Sequence, residues 1–150
     1  MVIAYLDTNV FIFAFKKEQT NSKRIVELSI LSAFIPAVSF HTFDELKLFL
    51  SAHYSRDSAN NAIHFIKKMP SLRVVEKKEI DEAMKTYANL VSDIDDLPHI
   101  CACMLLKCDF FVTTNRKLTQ MKAKDKIQFV SPKRFVELLG LPSLNTQNNE

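Results

Sequence analysis

Residues 1–15, MVIAYLDTNVFIFAF, begin with a short apolar run that breaks at an aspartate and then resumes without a glycine or proline. The run from Val2 to Leu6 is rich in β-forming residues, which is typical of a strand buried on both faces of a parallel sheet. Asp7 follows this strand directly. Two interpretations of Asp7 are open from the pattern alone: a cap for the segment that follows, or a ligand for a metal ion.

The rest of the chain alternates short apolar runs with amphipathic segments. Further strands are predicted at residues 34–38, 72–75, 110–113 and 127–130, and helices at 20–31, 39–54, 56–68, 78–91, 97–107 and 132–139. Residues 10–15 suit a helical or irregular segment. Five strands that alternate with helices predict an α/β domain with a mainly parallel sheet. In such sheets the ligand site lies beyond the carboxyl ends of the strands.

Length and composition favour one domain. The chain has 150 residues, of which 47% are hydrophobic, so one core is expected. We expect the domain to span residues 1–142 and residues 143–150 to form a polar, disordered tail. The net charge of +3 permits a polyanionic partner without demanding one. Three clustered cysteines without CxxC spacing and the lack of an apolar run near the ~20 residues that span a bilayer predict a cytoplasmic protein with no membrane segment.

Acidic residues recur where the predicted strands end or the next helices begin. Asp7 follows the first strand, Glu45 lies one turn into the helix after the second, and Asp95 and Asp96 precede the helix before the fourth. Because parallel strands end at the same edge of a sheet, these side chains are expected to converge. Converging carboxylates repel one another, and a hard divalent cation makes such a cluster tolerable.

Four stretches together resemble the PIN-domain ribonucleases, including the VapC-type toxins of toxin–antitoxin modules. They are YLDTNVFI (5–12), FDELKLF (43–49), DLPHICACMLLKCDFFVTTNRKL (96–118) and SPKRFVELLG (131–140). The resemblance covers nearly the whole chain, and its first motif alone is weak, whereas the combination is fairly specific. It implies a three-layer α/β/α sandwich around a central sheet of about five mainly parallel strands.

The resemblance also implies roles for individual residues of the first two motifs. Asp7 matches the first metal-binding aspartate of the family, and Asn9 matches the polar residue that supports it. Glu45 matches the glutamate of the second motif. On this reading Asp7 holds the ion directly, and Glu45 acts as a ligand or as the base that positions a water.

The later motifs match less completely. Asp96 matches the aspartate that opens a D-x-x-H or D-x-P helix, which implies that it is the second direct metal ligand. Thr113 matches the hydroxyl residue that precedes the fourth acidic position. Asn115 falls where many members carry a fourth aspartate, so this chain lacks one charge there. Asp93 or Asp95 could replace part of that charge, although loop solvation and capping explain both more simply.

The implied activity is hydrolysis of phosphodiester bonds in single-stranded RNA with Mg²⁺ or Mn²⁺, one ion being expected. Arg116 and Lys117, together with Lys16 and Lys17, are candidates for contacts with the RNA phosphates. The resemblance further suggests an antitoxin partner and a homodimer. Two alternatives stay open: an RNA-processing nuclease without an antitoxin, and a catalytically weak PIN-like module that binds RNA or a partner protein, which Asn115 keeps open.

The sequence gives the histidines structural rather than catalytic or metal-binding interpretations. His99 lies one turn beyond Asp96 and is interpreted as a hydrogen-bonded histidine on a helix face rather than as a catalytic group. The other histidines have no cysteine or histidine partners at the spacing of a zinc site. Asp96 itself also fits a simple role, because a carboxylate at a helix start is favoured by the helix dipole.

Overall fold

The computed structural model describes residues 1–88, 96–121 and 126–150, and within these ranges the chain forms five strands and eight helices. The strands are β1 (Ile3–Leu6), β2 (Ile35–Ser39), β3 (Arg73–Val75), β4 (Phe110–Val112) and β5 (Gln128–Val130). The helices are α1 (Thr8–Lys16), α2 (Asn21–Ile30), α3 (Phe40–His53), α4 (Arg56–Lys67), α5 (Lys77–Tyr87), α6 (Leu97–Leu105), α7 (Arg116–Thr119) and α8 (Pro132–Leu138).

All five strands join one parallel sheet in the order β3-β2-β1-β4-β5. In the centre, Tyr5 of β1 lies opposite Ala37 of β2 and Phe111 of β4. The strand order reverses between β1 and β4, because the chain builds outward from β1 first on one side and then on the other. A crevice opens at such a reversal, outside the carboxyl ends of the two strands. The predicted parallel sheet is confirmed.

Two apolar layers cover the two faces of the sheet. Leu6 packs on one face in a cluster with Phe11 of α1 and Phe135 of α8. Tyr5, which points to the other face, packs in a second cluster with Phe111 and with Cys101 of α6. Adjacent residues of β1 thus serve opposite layers, as the pleat of a strand requires. The result is the predicted three-layer α/β/α sandwich.

One strand boundary and one short helix differ from the sequence prediction. The pattern of residues 34–38 predicted a strand that ends at Pro36, whereas β2 continues to Ser39. Pro36 is tolerated inside the strand because Ile35 donates its N–H to the carbonyl of Val2, just before β1, so Pro36 faces the other side, where pairing with β3 begins only at Ala37. The short helix α7 was not predicted.

Residues 143–150 were expected to be a disordered tail, whereas the structure places them against α2. Both ends of the Asn21 side-chain amide bind Leu144: its Oδ1 accepts from the Leu144 N–H at 2.9 Å, and its Nδ2 donates to the Leu144 carbonyl at 3.0 Å. Glu150 is only 3% exposed. A polar composition predicted solvation of this segment but could not reveal its hydrogen-bond partners.

The remaining sequence predictions concern membrane-spanning segments, the cysteines and the acidic residues before α6. Among the described helices, none combines the length and the apolar character needed to cross a membrane. Cys101, Cys103 and Cys108 are buried free thiols. Burial raises the pKa of the Cys101 thiol to about 11. The predicted helix over 78–91 ends outside the described residues, and so do Asp93 and Asp95.

A candidate active site at the carboxyl ends of β1 and β4

Asp7 and Thr113 are the first residues after the two strands at which the strand order reverses. The backbone N–H of Asp7 donates to Val112 at 3.0 Å, and that of Thr113 donates to Val130 at 2.9 Å. The sheet therefore fixes the backbone from which each side chain projects. Thr113 Oγ1 donates to Asp7 Oδ2 at 2.7 Å, and both residues are buried.

The carboxylate of Asp7 is held by three hydrogen bonds. Oδ1 accepts from the backbone N–H of Thr8 at 2.8 Å, at the start of α1. Oδ2 accepts from Thr113 and, at 3.3 Å, from Asn9 Nδ2. A carboxylate offers about four lone-pair directions, so Oδ1 keeps one for a further partner. The capping role of Asp7 and a ligand role are thus compatible in the same side chain.

A chain of hydrogen bonds connects Asp7 to Asp96 through the segment after β4. The backbone N–H of Asn115 donates to Thr113 Oγ1 at 3.0 Å, and Asn115 Nδ2 donates to Asp96 Oδ2 at 3.2 Å. Asn115 Oδ1 accepts from the backbone N–H of Lys117 at 3.0 Å and caps α7. Both ends of the Asn115 amide are therefore engaged, which fixes its orientation between Asp96 and α7.

Glu45 approaches the same place from α3 and meets a buried histidine. His99 of α6 is 2% exposed, and its Nε2 is hydrogen-bonded to Glu45 Oε1. The same nitrogen lies 3.9 Å from Asp7 Oδ1. Thr8 Oγ1 donates to Glu45 Oε1 at 3.3 Å. An imidazole thus stands between the two carboxylates that the sequence assigned to the site.

The charges around His99 favour its protonated form. Burial on its own lowers the pKa of His99, but the hydrogen bond to Glu45 and the negative charges of Asp7, Glu45 and Asp96 raise it above the usual value. For Glu45, burial raises the pKa, but the hydrogen bond and the charge of His99 and the hydrogen bond from Thr8 lower it overall. Each partner therefore favours the charged form of the other, an imidazolium and a carboxylate.

Tyr5 holds the other nitrogen of the ring. Its hydroxyl lies 2.6 Å from His99 Nδ1 and donates to Ser39 Oγ at 2.9 Å. With the hydroxyl proton on the side of Ser39, an N–H on Nδ1 that donates to the Tyr5 oxygen is compatible with a doubly protonated ring. Burial is the main cause that raises the pKa of Tyr5 well above its usual value, so the hydroxyl stays neutral.

The carboxylates of Asp7, Glu45 and Asp96 fit one kind of Mg²⁺ or Mn²⁺ site and not another. In residues 1–88, 96–121 and 126–150, no group of three Asp, Glu, His or Cys side chains is arranged to hold a metal ion. Asp7, Glu45 and Asp96 do interact with the same His99, but Asp7 and Asp96 are also bound to Thr113 and Asn115, and His99 lies between Asp7 and Glu45. Mg²⁺ normally takes one or two carboxylates and keeps several waters. The residues therefore fit a single hydrated ion and do not fit a cage of three direct carboxylates.

The four basic candidates divide into two pairs. Arg116 and Lys117 are exposed on α7, immediately after Asn115. Lys16 and Lys17 are exposed at the end of α1 opposite to Asp7, and nine residues of helix span about 13 Å. The first pair lies beside the acidic side chains, whereas the second pair lies a helix length away.

Sequence reasoning underestimated His99. The structure places it in contact with Tyr5 and Glu45 and close to Asp7, at the centre of the site. The available signal was its position three residues after Asp96, which puts both on one side of a helix, together with a flanking apolar sequence that buries it. A single histidine carries no ligand spacing, so the pattern could not separate a central role from a peripheral one.

The fold and the site define a class: an α/β domain with an acidic cluster at the switch point of a parallel sheet. The sequence model of the PIN domain matches residues 4–117, which is more than half of the chain. The chain therefore belongs to the PIN domain family, a family of nucleases. A search of curated proteins found no significant match.

Solved structures support the same fold. A toxin–antitoxin complex from Klebsiella pneumoniae matches with a TM-score of 0.62 and 17% identity, over 86% of this chain and 97% of that one. VapBC-1 from nontypeable Haemophilus influenzae matches with a TM-score of 0.61 and 22% identity, over 87% and 98%. The Mycobacterium tuberculosis toxin VapC20, described as cleaving the Sarcin-Ricin loop, matches with a TM-score of 0.53 and 12% identity, over 72% and 86%. The chain thus has the fold of VapC-type PIN domains.

Proposed function

We propose that this protein is an Mg²⁺- or Mn²⁺-dependent endoribonuclease that hydrolyses phosphodiester bonds of single-stranded RNA. One observation carries the proposal: the buried His99 interacts with three carboxylates from distant parts of the sequence, at the switch point of a PIN-domain sheet. Glu45 is hydrogen-bonded to His99, and the negative charges of Asp7 and Asp96 also raise its pKa. Carboxylates gathered near the carboxyl ends of parallel strands, beside a buried histidine whose pKa they raise, are typical of a functional site.

Asp7 and Asp96 are the residues that would hold the ion, with Glu45 beside them. When bound, the ion supplies a lowered pKa for a coordinated water and stabilises negative charge on the phosphoryl oxygens. Glu45 would act as a ligand or as the base that positions the attacking water, because its lowered pKa keeps it ionised and its side chain is 49% exposed. His99 and Thr8 hold Glu45 in place for this role.

The substrate would lie across the carboxyl edge of the sheet on its phosphates. Arg116 and Lys117 are exposed beside Asn115 and suit contacts with phosphates next to the scissile bond. Lys16 and Lys17 would contact the RNA further away, at the distal end of α1. An extended single strand can reach both pairs, and its phosphates offer the same contacts whatever the base sequence.

The proposed biological setting is the cytoplasm, where the protein acts as the toxin of a toxin–antitoxin module. Two of the similar structures are toxin–antitoxin complexes, which supports an antitoxin as partner, and we also propose a homodimer. A bound antitoxin would place a cationic side chain near the acidic cluster. Growth arrest on expression, relieved by the product of an adjacent reading frame, tests this setting. Activity without growth arrest would instead favour an RNA-processing nuclease.

The activity is tested by incubating the protein with a pool of structured and unstructured RNAs in Mg²⁺, in Mn²⁺ and in EDTA. Cleavage is expected with either metal and absent in EDTA. Asp7→Asn and Asp96→Asn should each slow cleavage by roughly 10²–10³-fold, the usual loss when one charge-stabilising group is removed. Asp44→Asn, which neutralises an exposed acid on α3 next to Glu45, is the matched control and should cleave like the parent. Parent-like cleavage by both site variants contradicts the proposal.

A catalytically weak module that binds RNA or a partner is the second candidate. The observation that favours it is Asn115, which supplies an amide where a fourth acid would stand and donates to Asp96. Mn²⁺ titration followed by calorimetry and by paramagnetic broadening of resonances near Asp7 separates the two candidates. The nuclease requires a metal site at Asp7, whereas a binding module does not.

A further inference from the structure

Asn149 belongs to the segment that the sequence predicted to be disordered, and its side chain reaches the backbone of the segment after β4. Asn149 Nδ2 donates to the backbone carbonyl of Thr114 at 3.0 Å and to Thr119 Oγ1 at 3.4 Å. Thr114 lies between Thr113, which holds Asp7, and Asn115, which holds Asp96. The contact therefore falls on the backbone that joins the two halves of the site.

The position of Asn149 is fixed by hydrogen bonds of the next residue, Glu150. The carboxylate of Glu150 accepts from the backbone N–H of Ser22, at the start of α2, and lies 3.5 Å from Asn21 Nδ2. The backbone carbonyl of Glu150 accepts from the N–H of Lys133 at 2.8 Å, in the first turn of α8. A negative side chain at a helix N-terminus is favoured by the unpaired N–H groups and the helix dipole. Glu150 thus ties the segment to two helices.

The backbone of the segment is suited to this position. Asn148 and Asn149 have φ angles of 61° and 58°, in the left-handed region. Asparagine adopts this region more readily than most residues because its short polar side chain can form local hydrogen bonds. Together with the pairing of Asn21 and Leu144, residues 144–150 are held at both ends. The segment can therefore transmit the position of α2 to the loop after β4.

Both backbone polar groups of Thr114 are therefore hydrogen-bonded. Its N–H donates to Asn9 Oδ1 at 3.2 Å, and its carbonyl accepts from Asn149. We propose that Asn149 is a positioning residue for the nuclease reaction: by binding the Thr114 carbonyl, it keeps Thr113 directed at Asp7 and Asn115 directed at Asp96. The inference rests on the proposed function, because it assigns Asn149 a role in that same site.

The expected consequence of losing this contact is a catalytic defect without a binding defect. A displacement of about 1 Å in a catalytic constellation can cost up to 10²-fold in rate. Asn149 contacts the protein backbone and Thr119, so its removal leaves Arg116 and Lys117 available to RNA. We therefore expect kcat to fall by about tenfold or more and KM for RNA to change by less than about twofold.

Asn149→Gly is the informative variant. Glycine accepts a positive φ without strain, so this change removes the amide and spares the backbone. Asn148→Gly is the matched control, because Asn148 has nearly the same φ and is exposed. Asn149→Asp is a second variant: it keeps the size of the side chain but turns the donor into an acceptor that faces the Thr114 carbonyl.

Activity is combined with a measurement that does not depend on RNA. Hydrogen exchange of the Thr114 and Asn115 amides, with the Phe111 amide of β4 as an internal reference, reports the order of the loop. Asn149→Gly should speed exchange of the two loop amides by at least about tenfold relative to Phe111, whereas Asn148→Gly should leave the ratio unchanged.

The outcomes separate this inference from the proposed function. Unchanged loop exchange, or faster loop exchange with parent-like kcat, overturns the positioning role. An equal loss of kcat in the Asn148→Gly control also overturns it, because the effect would then belong to the segment and not to Asn149. If the parent protein cleaves no RNA, the proposed function fails, while the exchange ratio still decides whether Asn149 orders the loop.

Discussion

Asn115 donates the hydrogen bond that holds Asp96, over 3.2 Å from Nδ2 to Oδ2. A carboxylate at position 115 would put two negative charges at this distance, and only a cation between them would make that arrangement stable. The amide instead stabilises Asp96 without a metal. The departure from the family pattern at this position is therefore satisfied by a hydrogen bond, at the cost of one charge that would attract an ion.

Asn115→Asp is expected to strengthen metal binding and to weaken the metal-free fold. Aspartate keeps the acceptor that caps α7 through the Lys117 N–H, so the change acts mainly on Asp96. In EDTA, the free energy of unfolding should fall by about 1–2 kcal/mol through the lost hydrogen bond and the new repulsion. Mn²⁺ should restore stability to a greater extent than in the parent. Urea unfolding with and without Mn²⁺ measures both effects, and an unchanged Mn²⁺ affinity contradicts this account.

Thr113→Val should damage the site without removing a candidate ligand. Valine matches the shape of threonine but loses the hydroxyl that donates to Asp7 at 2.7 Å and accepts from the Asn115 N–H at 3.0 Å. We expect a loss of about 1–3 kcal/mol in the free energy of unfolding, because buried partners are left unpaired. RNA cleavage should slow by about tenfold or more, because Asp7 loses its orientation. Thr86→Val, at an exposed position of α5, is the control.

The strands and most helices follow from local patterns, and the reasons for the exceptions are physical. The run before Asp7 predicted β1, and the cap-type residue Thr20 predicted the start of α2. In the structure, Thr20 Oγ1 accepts a hydrogen bond from the backbone N–H of Lys23. The four residues of α7 are too few to show a period, so its only signal was Asn115, which caps it. Local pattern carries little information about such a short helix.

The site could be predicted in its members but not in its connections. The pattern of strands and helices predicted that Asp7, Glu45 and Asp96 lie at one edge of the sheet, and in the structure all three interact with His99. That His99 would stand between two of them depends on how α6 packs against β1 and α3, and this is set by the whole core. The partners of Asn149 likewise depend on contacts between residues 30 or more positions apart.

Tyr5→Phe tests the buried network that holds His99. The phenol hydroxyl contacts His99 Nδ1 and donates to Ser39 Oγ, and its loss leaves these buried groups without that partner. The free energy of unfolding should fall by about 1–3 kcal/mol. Tyr54→Phe, at a residue that is 56% exposed, should change it by less than about 0.5 kcal/mol. Equal effects of the two changes in urea unfolding would contradict the importance of the network.

The His99–Glu45 pair predicts the pH dependence of stability in EDTA. The raised pKa of His99 means that its stabilising contribution is complete below the unfolded value of about 6.5 and is lost as pH rises through the higher folded pKa. The lowered pKa of Glu45 means that its contribution is present above the unfolded value and is lost as pH falls through the folded pKa. Stability from the pair is therefore greatest in the weakly acidic range.

His99→Gln should remove the alkaline part of that dependence. Urea unfolding of the parent in EDTA is expected to show a free energy of unfolding that declines between pH 6.5 and the folded pKa of His99, because the unfolded chain has by then released the proton that the folded chain retains. His64→Gln, which replaces an exposed histidine on α4, should keep the decline. A parent curve without this decline would show that the imidazolium is not stabilised by Glu45.

The two basic pairs should contribute differently to RNA binding. On an Asp7→Asn background, which prevents cleavage, Arg116→Ala and Lys117→Ala should each weaken binding of a short single strand and reduce the slope of log K against log salt by about 0.7, the value for one phosphate contact of a single strand. Lys16→Ala and Lys17→Ala should have this effect only on strands long enough to reach the distal end of α1, about 13 Å away. Lys85→Ala, on the exposed face of α5, is the control. Equal losses for all five variants on the shortest strand would mean that the protein binds RNA by its overall charge and not along the track from α7 to α1.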